Sequence, residues 1–275
     1  LNTGTLTLSN SIVSGNTSYG AGGGIYNYGT LTLSNSTVSG NKTSAGATGG
    51  GIYNIGALRL NNSTVSGNMS GVGGGITNQG ALTLINSTVT GNSAREGGGI
   101  LIQGYTVTGN QPGIAPTDLT FSTVYGNIAS TGGSIAIADY DFNNNKPIKQ
   151  ISVVQIIASI VASDPAHPGP DIVGMLKTYG YNLFQENSGA TFDPTTRMQH
   201  GTDRTLSAKD LTRLFGDPVG LQNNGGPTRT YALGPGSPAI DVVPYDFCWL
   251  TDQRGVKRPD GNEHTCDIGA YEYQD

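Results

Sequence analysis

Seven residues in the middle of the chain, DYDFNNN at positions 139–145, place oxygen-bearing side chains at alternate positions. Carboxylate and amide oxygens at such spacing are the ligands that Ca²⁺ takes in loop sites. The four candidate ligands are Asp139, Asp141, Asn143 and Asn145. The segment lacks the Gly at the sixth position and the Glu at the twelfth position of a standard calcium loop. Two alternatives stay open: a structural calcium site, and a polar surface loop with no metal. No other cofactor is expected.

Carbohydrate chemistry would need grouped carboxylates. A glycoside hydrolase uses two carboxyl groups about 5–9.5 Å apart, and a polysaccharide lyase needs acidic calcium ligands beside a basic side chain. Residues 1–117 carry only four charged side chains: Lys42, Arg59, Arg95 and Glu96. The carboxylates that could gather beside the later part of the chain are Asp118, Asp139, Asp141, Asp164 and Asp171. The sequence therefore favours a non-catalytic protein, with a carbohydrate-active enzyme or a glycan-binding module as the alternative.

The C-terminal part concentrates charge and both cysteines. Its charged residues stand among Gly and Pro turns, where they can lock loops by ion pairs and main-chain hydrogen bonds. They are Asp241, Asp252, Arg254, Arg258, Asp267 and Glu272. Cys248 and Cys266 have no set of neighbouring ligands with familiar zinc spacing. A disulfide between them is the expected arrangement, and it would indicate an oxidising, extracytoplasmic setting.

The elements that must position these residues come from a repeat. The stretch GGGIYNIGALRLNNSTVSGN at 49–68 returns as GGGIYNYGTLTLSNSTVSGN at 22–41 and as GGGITNQGALTLINSTVTGN at 73–92. Spacing between the SGN or TGN motifs varies from 24 to 27 residues across these units. Such variation is incompatible with a helical repeat, which keeps its period, and it is typical of a β-solenoid with loops at its corners.

Each unit alternates apolar and polar residues with a period of two, which predicts short β-strands. Three apolar columns recur: the Leu pairs 6/8, 31/33, 58/60 and 82/84; Val13, Val38, Val65 and Val89; and Ile25, Ile52, Ile76 and Ile100. Three columns per unit predict an all-β fold, a right-handed parallel β-helix with three faces. Thr37, Thr64 and Thr88 should form an outward column on one face.

Polar residues also fall into columns. We expect the motif asparagines to stack as an axial hydrogen-bonded ladder at a corner, where Asn tolerates left-handed backbone. The predicted rungs are Asn16, Asn41, Asn68, Asn92, Asn110 and Asn127. Asn27, Asn54 and Asn78 form a second column, and Asn10, Asn35, Asn62 and Asn86 a third.

The repeat pattern weakens after residue 127 and the composition changes at about residue 164. We therefore expect solenoid coils over 1–163 and an irregular cap over 164–275 that packs on the solenoid and partly continues it. Within the cap, SAKDLTRLF predicts a short helix that begins with a capping box of Ser207 and Asp210.

The cap also carries a resemblance. The segments DIVG, GYNLF, NNGGPTRTYALGPGSPAIDVV and TDQRGVKRPDGNEHTCDIGAYEY follow one another in this order. This order resembles the C-terminal part of bacterial choice-of-anchor Q domain proteins, whose upstream region is a right-handed parallel β-helix like that of polymorphic outer-membrane proteins. The resemblance implies an exported surface protein.

The chain begins inside a repeat unit, since Leu1 aligns with Tyr26. Three explanations stay open: the sequence is a fragment of a longer protein, a partner strand or cap covers the unpaired edge, or the next subunit covers it head to tail. We expect an assembly edge formed by Leu1, Asn2, Leu6 and Leu8, used for head-to-tail self-association into fibres or for adhesion. Other cell-surface components and glycans are further candidate partners. A net charge of −5 argues against nucleic acid, and no apolar run is long enough to span a membrane. The expected location is the cell surface or the extracellular space.

Overall fold

The structure is a computed structural model that describes residues 1–106, 116–141, 146–147, 152–163, 170–185, 189–193, 202–261 and 263–274. It is a parallel β-helix with three faces, which confirms the predicted fold class. In the second coil the chain runs from Ile25–Asn27 on face 1 to Thr30–Ser34 on face 2 and then to Thr37–Ser39 on face 3. Each strand pairs in parallel with its counterpart in the next coil.

The strands stack in chain order on each face. Face 1 contains Ile25–Asn27, Ile52–Asn54, Ile76–Asn78, Ile100–Ile102 and Ile135–Ile137. Face 2 contains Thr5–Ser9, Thr30–Ser34, Ala57–Asn61, Ala81–Ile85, Thr117–Thr120 and Val154–Ile157. Face 3 contains Ile12–Ser14, Thr37–Ser39, Thr64–Ser66, Thr88–Thr90, Thr123–Asn127, Ile160–Ser163, Leu183–Phe184 and Arg204–Thr205. The long strand Ile172–Thr178 continues both face 1 and face 2, and Gly189–Phe192 pairs with it.

Shorter elements lie outside the three faces. They are the parallel pair Thr17–Ser18 and Lys42–Thr43, the three strands Tyr105–Thr106, Tyr140–Asp141 and Lys146–Pro147, and the antiparallel pair Val243–Pro244 and Thr265–Cys266. The one α-helix among the described residues, Ala208–Leu214, starts at the Ser207–Asp210 capping box, as predicted. A 3-10 turn follows at Tyr245–Phe247.

The three predicted apolar columns form the solenoid core. Leu33, Val38 and Ile52, one from each column, have no exposed surface, and the core runs from the second coil to Leu176 and Phe184. Because every coil contributes the same inward positions, each apolar side chain lies on an identical or similar one in the coil below. The spacing of these layers is that of paired strands, about 4.8 Å.

The corner between faces 2 and 3 uses left-handed backbone. The φ angles at Asn10, Asn35, Asn62 and Asn86 are 49°, 52°, 50° and 45°. Asn is one of the few residues with a side chain that adopts this conformation readily. The same corner continues in the later coils with Phe121, Ala158 and Tyr181, whose φ angles are also positive.

The C-terminal part folds back along the side of the solenoid. A second core of buried residues lies between face 3 and this segment, and it includes Phe121, Ile160 and Leu183 from the coils and Leu233 and Ile268 from the tail. We call residues 218–274 the side layer. It covers the outward Thr column from the third coil onward, so that Thr64 and Thr88 are buried.

The parallel stack continues through Arg204–Thr205, beyond the predicted boundary at residue 163. The boundary itself falls at residues 164–169, which lie outside the described residues. Among the helices that the structure describes, none is both long and apolar enough to cross a membrane.

Candidate functional sites: polar ladders, a buried charge lock and a side groove

The motif asparagines bond to one another along the solenoid axis. The Asn68 amide nitrogen donates to Asn92 Oδ1 at 2.9 Å and to the Val38 carbonyl at 3.0 Å. Asn68 Oδ1 in turn accepts from the main-chain and side-chain N–H groups of Asn41. The same contacts join Asn16 to Asn41 and Asn92 to Asn127. These side chains close the corner between face 3 and the loop that follows.

One predicted rung is corrected. Asn92 bonds directly to Asn127, 35 residues away, so the ladder has no place for Asn110 between them. Asn110 itself lies outside the described residues. The TVTGN motif at 106–110 falls in sequence between Ile100–Ile102 and Thr117–Thr120, so the 35 residues from Asn92 to Asn127 form a single coil.

The second asparagine column forms a ladder with shorter bonds. Asn2, Asn27, Asn54 and Asn78 are linked in sequence by side-chain amide bonds of 2.7 Å. The third column behaves differently, since its asparagines supply the left-handed corner described above. The two physical roles that the sequence suggested for Asn are therefore divided between columns.

Sequence reasoning missed a serine ladder. The Oγ atoms of Ser63, Ser87, Ser122 and Ser159 each accept the main-chain N–H of the serine in the preceding coil, at 3.1–3.3 Å. Each of these hydroxyl groups also donates to the carbonyl two residues earlier. Part of the signal was in the sequence, since Ser36, Ser63 and Ser87 stand at the same position of a recurring NST triplet.

The predicted calcium ligands are only partly described. Asp139 is buried, and its two carboxylate oxygens accept main-chain N–H groups from Gly104 at 2.7 Å and from Ser152 at 2.8 Å. Asp141 lies in a short strand but its side chain is not described, and Asn143 and Asn145 lie outside the described residues. The calcium site stays a prediction.

The carboxylates considered for catalysis do not form one group where they are described. Asp118 points outward from face 2, and its partial burial raises its pKa. Asp139 and Asp171 are buried, and Asp164 lies outside the described residues. Within the described ranges, the one set of three acidic side chains close enough to share a cation is in the side layer: Asp241, Asp260 and Glu263.

That acidic set was not predicted as a group. Its ligand oxygens lie within 4.8 Å of one another, a geometry that could hold a divalent cation. Hydrogen bonds that the protonated Glu263 carboxyl donates to Asp241 and Asp260, together with burial and the charge of these two neighbours, raise the pKa of Glu263 to about 7. Without a cation, Glu263 therefore keeps its proton to a higher pH than an isolated glutamate does.

The predicted tail charges form a buried lock. The Arg258 guanidinium donates to Glu272 Oε2 at 2.8 Å and to the carbonyls of Asp267 and Gly269 at 2.7 Å, and it lies over the Phe121 ring at 4.7 Å. Because Phe121 is a solenoid corner residue, this arginine joins the side layer to the coils.

The second half of the lock is centred on Asp252. Asp252 pairs with Arg254 Nε at 2.7 Å and accepts the main-chain N–H of Glu272 at 3.0 Å. Burial raises the pKa of Asp267 to about 6, although main-chain N–H groups of Tyr273 and Asp241 stabilise its ionised form. The disulfide between Cys248 and Cys266 is present, as predicted, and closes a separation of 18 residues.

Gln253 holds the side layer to face 3. Its amide nitrogen donates to the hydroxyl groups of Thr64 at 2.9 Å and Thr228 at 2.8 Å, and its oxygen accepts from Thr88 at 2.6 Å. The Thr64 hydroxyl donates in turn to the Arg229 carbonyl at 2.9 Å. The outward Thr column therefore supplies the hydroxyl groups to which the side layer is hydrogen-bonded.

A groove opens where the side layer stops. It lies on face 3 over the first three coils, has a volume of about 540 Å³, and is bounded on one side by residues 221–229. Its floor carries Ile12, Thr37, Ser39 and Ser66, and Arg229 stands on its wall.

A cluster of tyrosines lies on face 1. The Tyr26 ring is 4.8 Å from Tyr28 and 4.9 Å from Tyr53 between centroids, and the Tyr26 hydroxyl donates to that of Tyr28 at 2.9 Å. Burial and this hydrogen bond raise the pKa of Tyr26. The aromatic column ends there, because Thr77 and Leu101 take the next two positions.

The predicted assembly edge is at the first coil. Leu1 is 86% exposed and Leu6 36% exposed, whereas Leu8 packs against the core and Asn2 is buried in its ladder.

Comparison with known proteins gave no match: no family profile, curated protein or solved structure is significantly similar to the chain.

Proposed function

We propose that the protein is a non-catalytic structural β-solenoid of the cell surface or the extracellular space. The observation that carries this proposal is the set of axial ladders. Asn41, Asn68 and Asn92, the most regular polar residues of the repeat, are buried and bonded to one another. Residues used in this way stabilise a rod and are not available to a substrate.

Two further features support the proposal. The disulfide fits an oxidising compartment, where such bonds persist. Dense axial hydrogen bonding and a clamped side layer favour resistance to proteolysis, because cleavage needs local opening. The resemblance of the tail to choice-of-anchor Q domain proteins points to the same location, and membership of that group is part of the proposal.

The experiment is surface labelling of intact cells that produce the protein. Antibody against the chain should label the cells, and brief protease treatment should leave the folded protein largely intact. In parallel, the purified protein is incubated with a panel of polysaccharides and the reducing ends and unsaturated products are measured. Labelling only after cell lysis would refute the location, and product formation that is lost on mutation of an acidic residue would refute the non-catalytic role.

Head-to-tail assembly is a separate part of the proposal. Negative-stain electron microscopy and sedimentation of one sample test it. Filaments with an axial repeat of one subunit length are the expected result, and a strict monomer over a wide concentration range would contradict it.

A further inference from the structure

The side groove defined above has the composition of a ligand site. Its volume, about 540 Å³, is within the range of binding pockets. The lining combines apolar surface from Ile12, which is 73% exposed, with hydroxyl groups from Thr37, Ser39 and Ser66. In the part of the chain that the structure describes, these three hydroxyl groups have no hydrogen-bond partner, so they are available to a ligand.

The charged residue that lines the groove is positive. Arg229 is exposed on its wall, and no acidic residue lines it among the described residues. The Arg229 guanidinium also forms no ion pair within the described ranges, in contrast to Arg213, Arg254 and Arg258. An unpaired arginine on the wall of a groove lined by neutral hydroxyl groups favours a carboxylate or another planar anion.

The wall is rigid where the arginine stands. The Arg229 carbonyl accepts from Thr64, and Thr228 donates to the Asn62 carbonyl at 3.0 Å. Thr64 and Thr228 are both buried and share the amide of Gln253. The main chain that carries Arg229 is therefore held in place before any ligand binds, which reduces the entropy lost on binding.

The floor favours a sugar chain over a peptide. Strands Ile12–Ser14, Thr37–Ser39 and Thr64–Ser66 are paired with one another in parallel, so their main-chain groups are occupied and cannot add a peptide strand. What they present are side-chain hydroxyl groups in rows about 4.8 Å apart along the axis. Such rows match the ring-by-ring repeat of hydroxyl groups along an extended saccharide.

We propose that this groove binds a linear acidic polysaccharide, with Arg229 contacting a uronate carboxylate and the Thr37, Ser39 and Ser66 hydroxyl groups contacting the sugar hydroxyls. The inference goes beyond the structural role proposed above, since a rigid rod needs no ligand. The two are tested separately, because cell labelling reports location and the groove is tested by binding alone.

The test is calorimetry at low salt with hexamers of galacturonate and mannuronate. The methyl-esterified galacturonate hexamer is the neutral control, and hexaglutamate is a peptide control of equal charge. Arg229→Gln removes the cation, and Ser39→Trp fills the groove from an outward position. Arg59→Gln is the matched control, since Arg59 is also exposed but lies on face 2, away from the groove. Thermal unfolding verifies that each variant is folded.

The expected result is binding of an acidic hexamer by the wild type and by Arg59→Gln, at least about tenfold weaker binding by Arg229→Gln, and loss of binding by Ser39→Trp. The esterified hexamer should bind less tightly than the acid. The proposal is overturned if neither acidic hexamer binds the wild type, or if Arg229→Gln and Arg59→Gln bind alike. Equally tight binding of hexaglutamate would replace the saccharide by an acidic peptide and overturn the assignment.

Discussion

At the scale of single residues, Arg258 is the position at which we expect a substitution to cost the most stability. It is buried together with Glu272, with which it forms an ion pair at 2.8 Å, and it also donates to two carbonyl groups. A buried ion pair stabilises little relative to apolar replacements, yet removal of one partner leaves uncompensated polar groups behind. The lock is thus a point of vulnerability.

Arg258→Met should lower the free energy of unfolding by about 3–5 kcal/mol. The matched control is Arg213→Met, which breaks the exposed pair with Asp210 and should cost less than about 1 kcal/mol. Urea denaturation of both variants checks the difference. Similar losses for the two would contradict the view that Arg258 is a buried lock.

The acidic set of Asp241, Asp260 and Glu263 predicts a pH dependence. The folded-state pKa of Glu263 is about 7, above its ordinary value of 4.5, so the folded state binds more protons than the unfolded state between these values. Stability should therefore fall as pH rises from about 4.5 to 7. Asp267, with its pKa raised to about 6, contributes in the same direction.

Glu263→Gln removes one of the three carboxyl groups, and its melting temperature should fall less between pH 5 and pH 8 than that of the wild type. Thermal unfolding in EDTA measures this difference without interference from metal ions. An unchanged pH profile would mean that the three carboxyl groups do not interact. Added Ca²⁺ should stabilise the wild type more than the variant if the set holds a cation.

At the scale of elements, glycine positions separate crowded corners from open ones. A Cβ on Gly74 would lie 2.5 Å from the Gly98 carbonyl oxygen and 2.6 Å from that of Ser93, whereas a Cβ on Gly46 would meet nothing within 4 Å. Main-chain atoms that belong to a parallel ladder cannot move aside independently.

Gly74→Ala should destabilise the protein by at least about 2 kcal/mol through overpacking. Gly46→Ala should be neutral or slightly stabilising, because it only reduces the freedom of the unfolded chain. Chemical denaturation of the pair is the measurement. Equal stability of the two variants would show that the main chain around Gly74 can move to accommodate a Cβ atom.

The asparagine ladder gives a second comparison at this scale. Asn68→Ala should cost about 3 kcal/mol or more, because it leaves the Val38 carbonyl and the Asn41 N–H groups unpaired and buried. Asn16→Ala, at the exposed rung, should cost less than about 1 kcal/mol. Circular dichroism during denaturation tests the order, and a smaller effect at Asn68 than at Asn16 would contradict it.

Much of the arrangement of strands and apolar columns could be predicted from the sequence. Leu33, Val38 and Ile52 stand in columns of period two, and alternation by itself specifies which side faces inward. The serine ladder was missed because Ser in a turn has several local bonding options. The rung at Asn110 was wrong because Asn92 bonds directly to Asn127, and a repeated motif does not by itself show which of its copies stack on one another.

At the scale of the whole molecule, the side layer was the least predictable feature. Gln253 bonds to Thr64 across 189 residues, and no local pattern links such distant positions. The sequence did indicate that the tail differs from the coils and that its charges lock loops. It could not indicate that the tail lies along the flank, since an outward Thr column serves equally well as bare surface.

The disulfide should matter most to this layer. Replacement of Cys248 and Cys266 by Ala releases a loop of 18 residues and should cost about 3 kcal/mol. Hydrogen exchange should rise first around Val243 and Thr265, while the apolar columns of the early coils stay protected. Uniform loss of protection across the chain would mean that coils and side layer unfold as one unit.

The place where the side layer first touches the solenoid has a consequence for the length of the rod. Its first described hydrogen bonds to the solenoid are with Asn62 and Thr64 in the third coil, so among the described residues the first two coils form no hydrogen bond with the side layer. Coils of this kind could be inserted or removed as whole repeat units, by tandem duplication or deletion, without changing the hydrogen bonds that hold the side layer. Rods of several lengths could then carry the same C-terminal side layer.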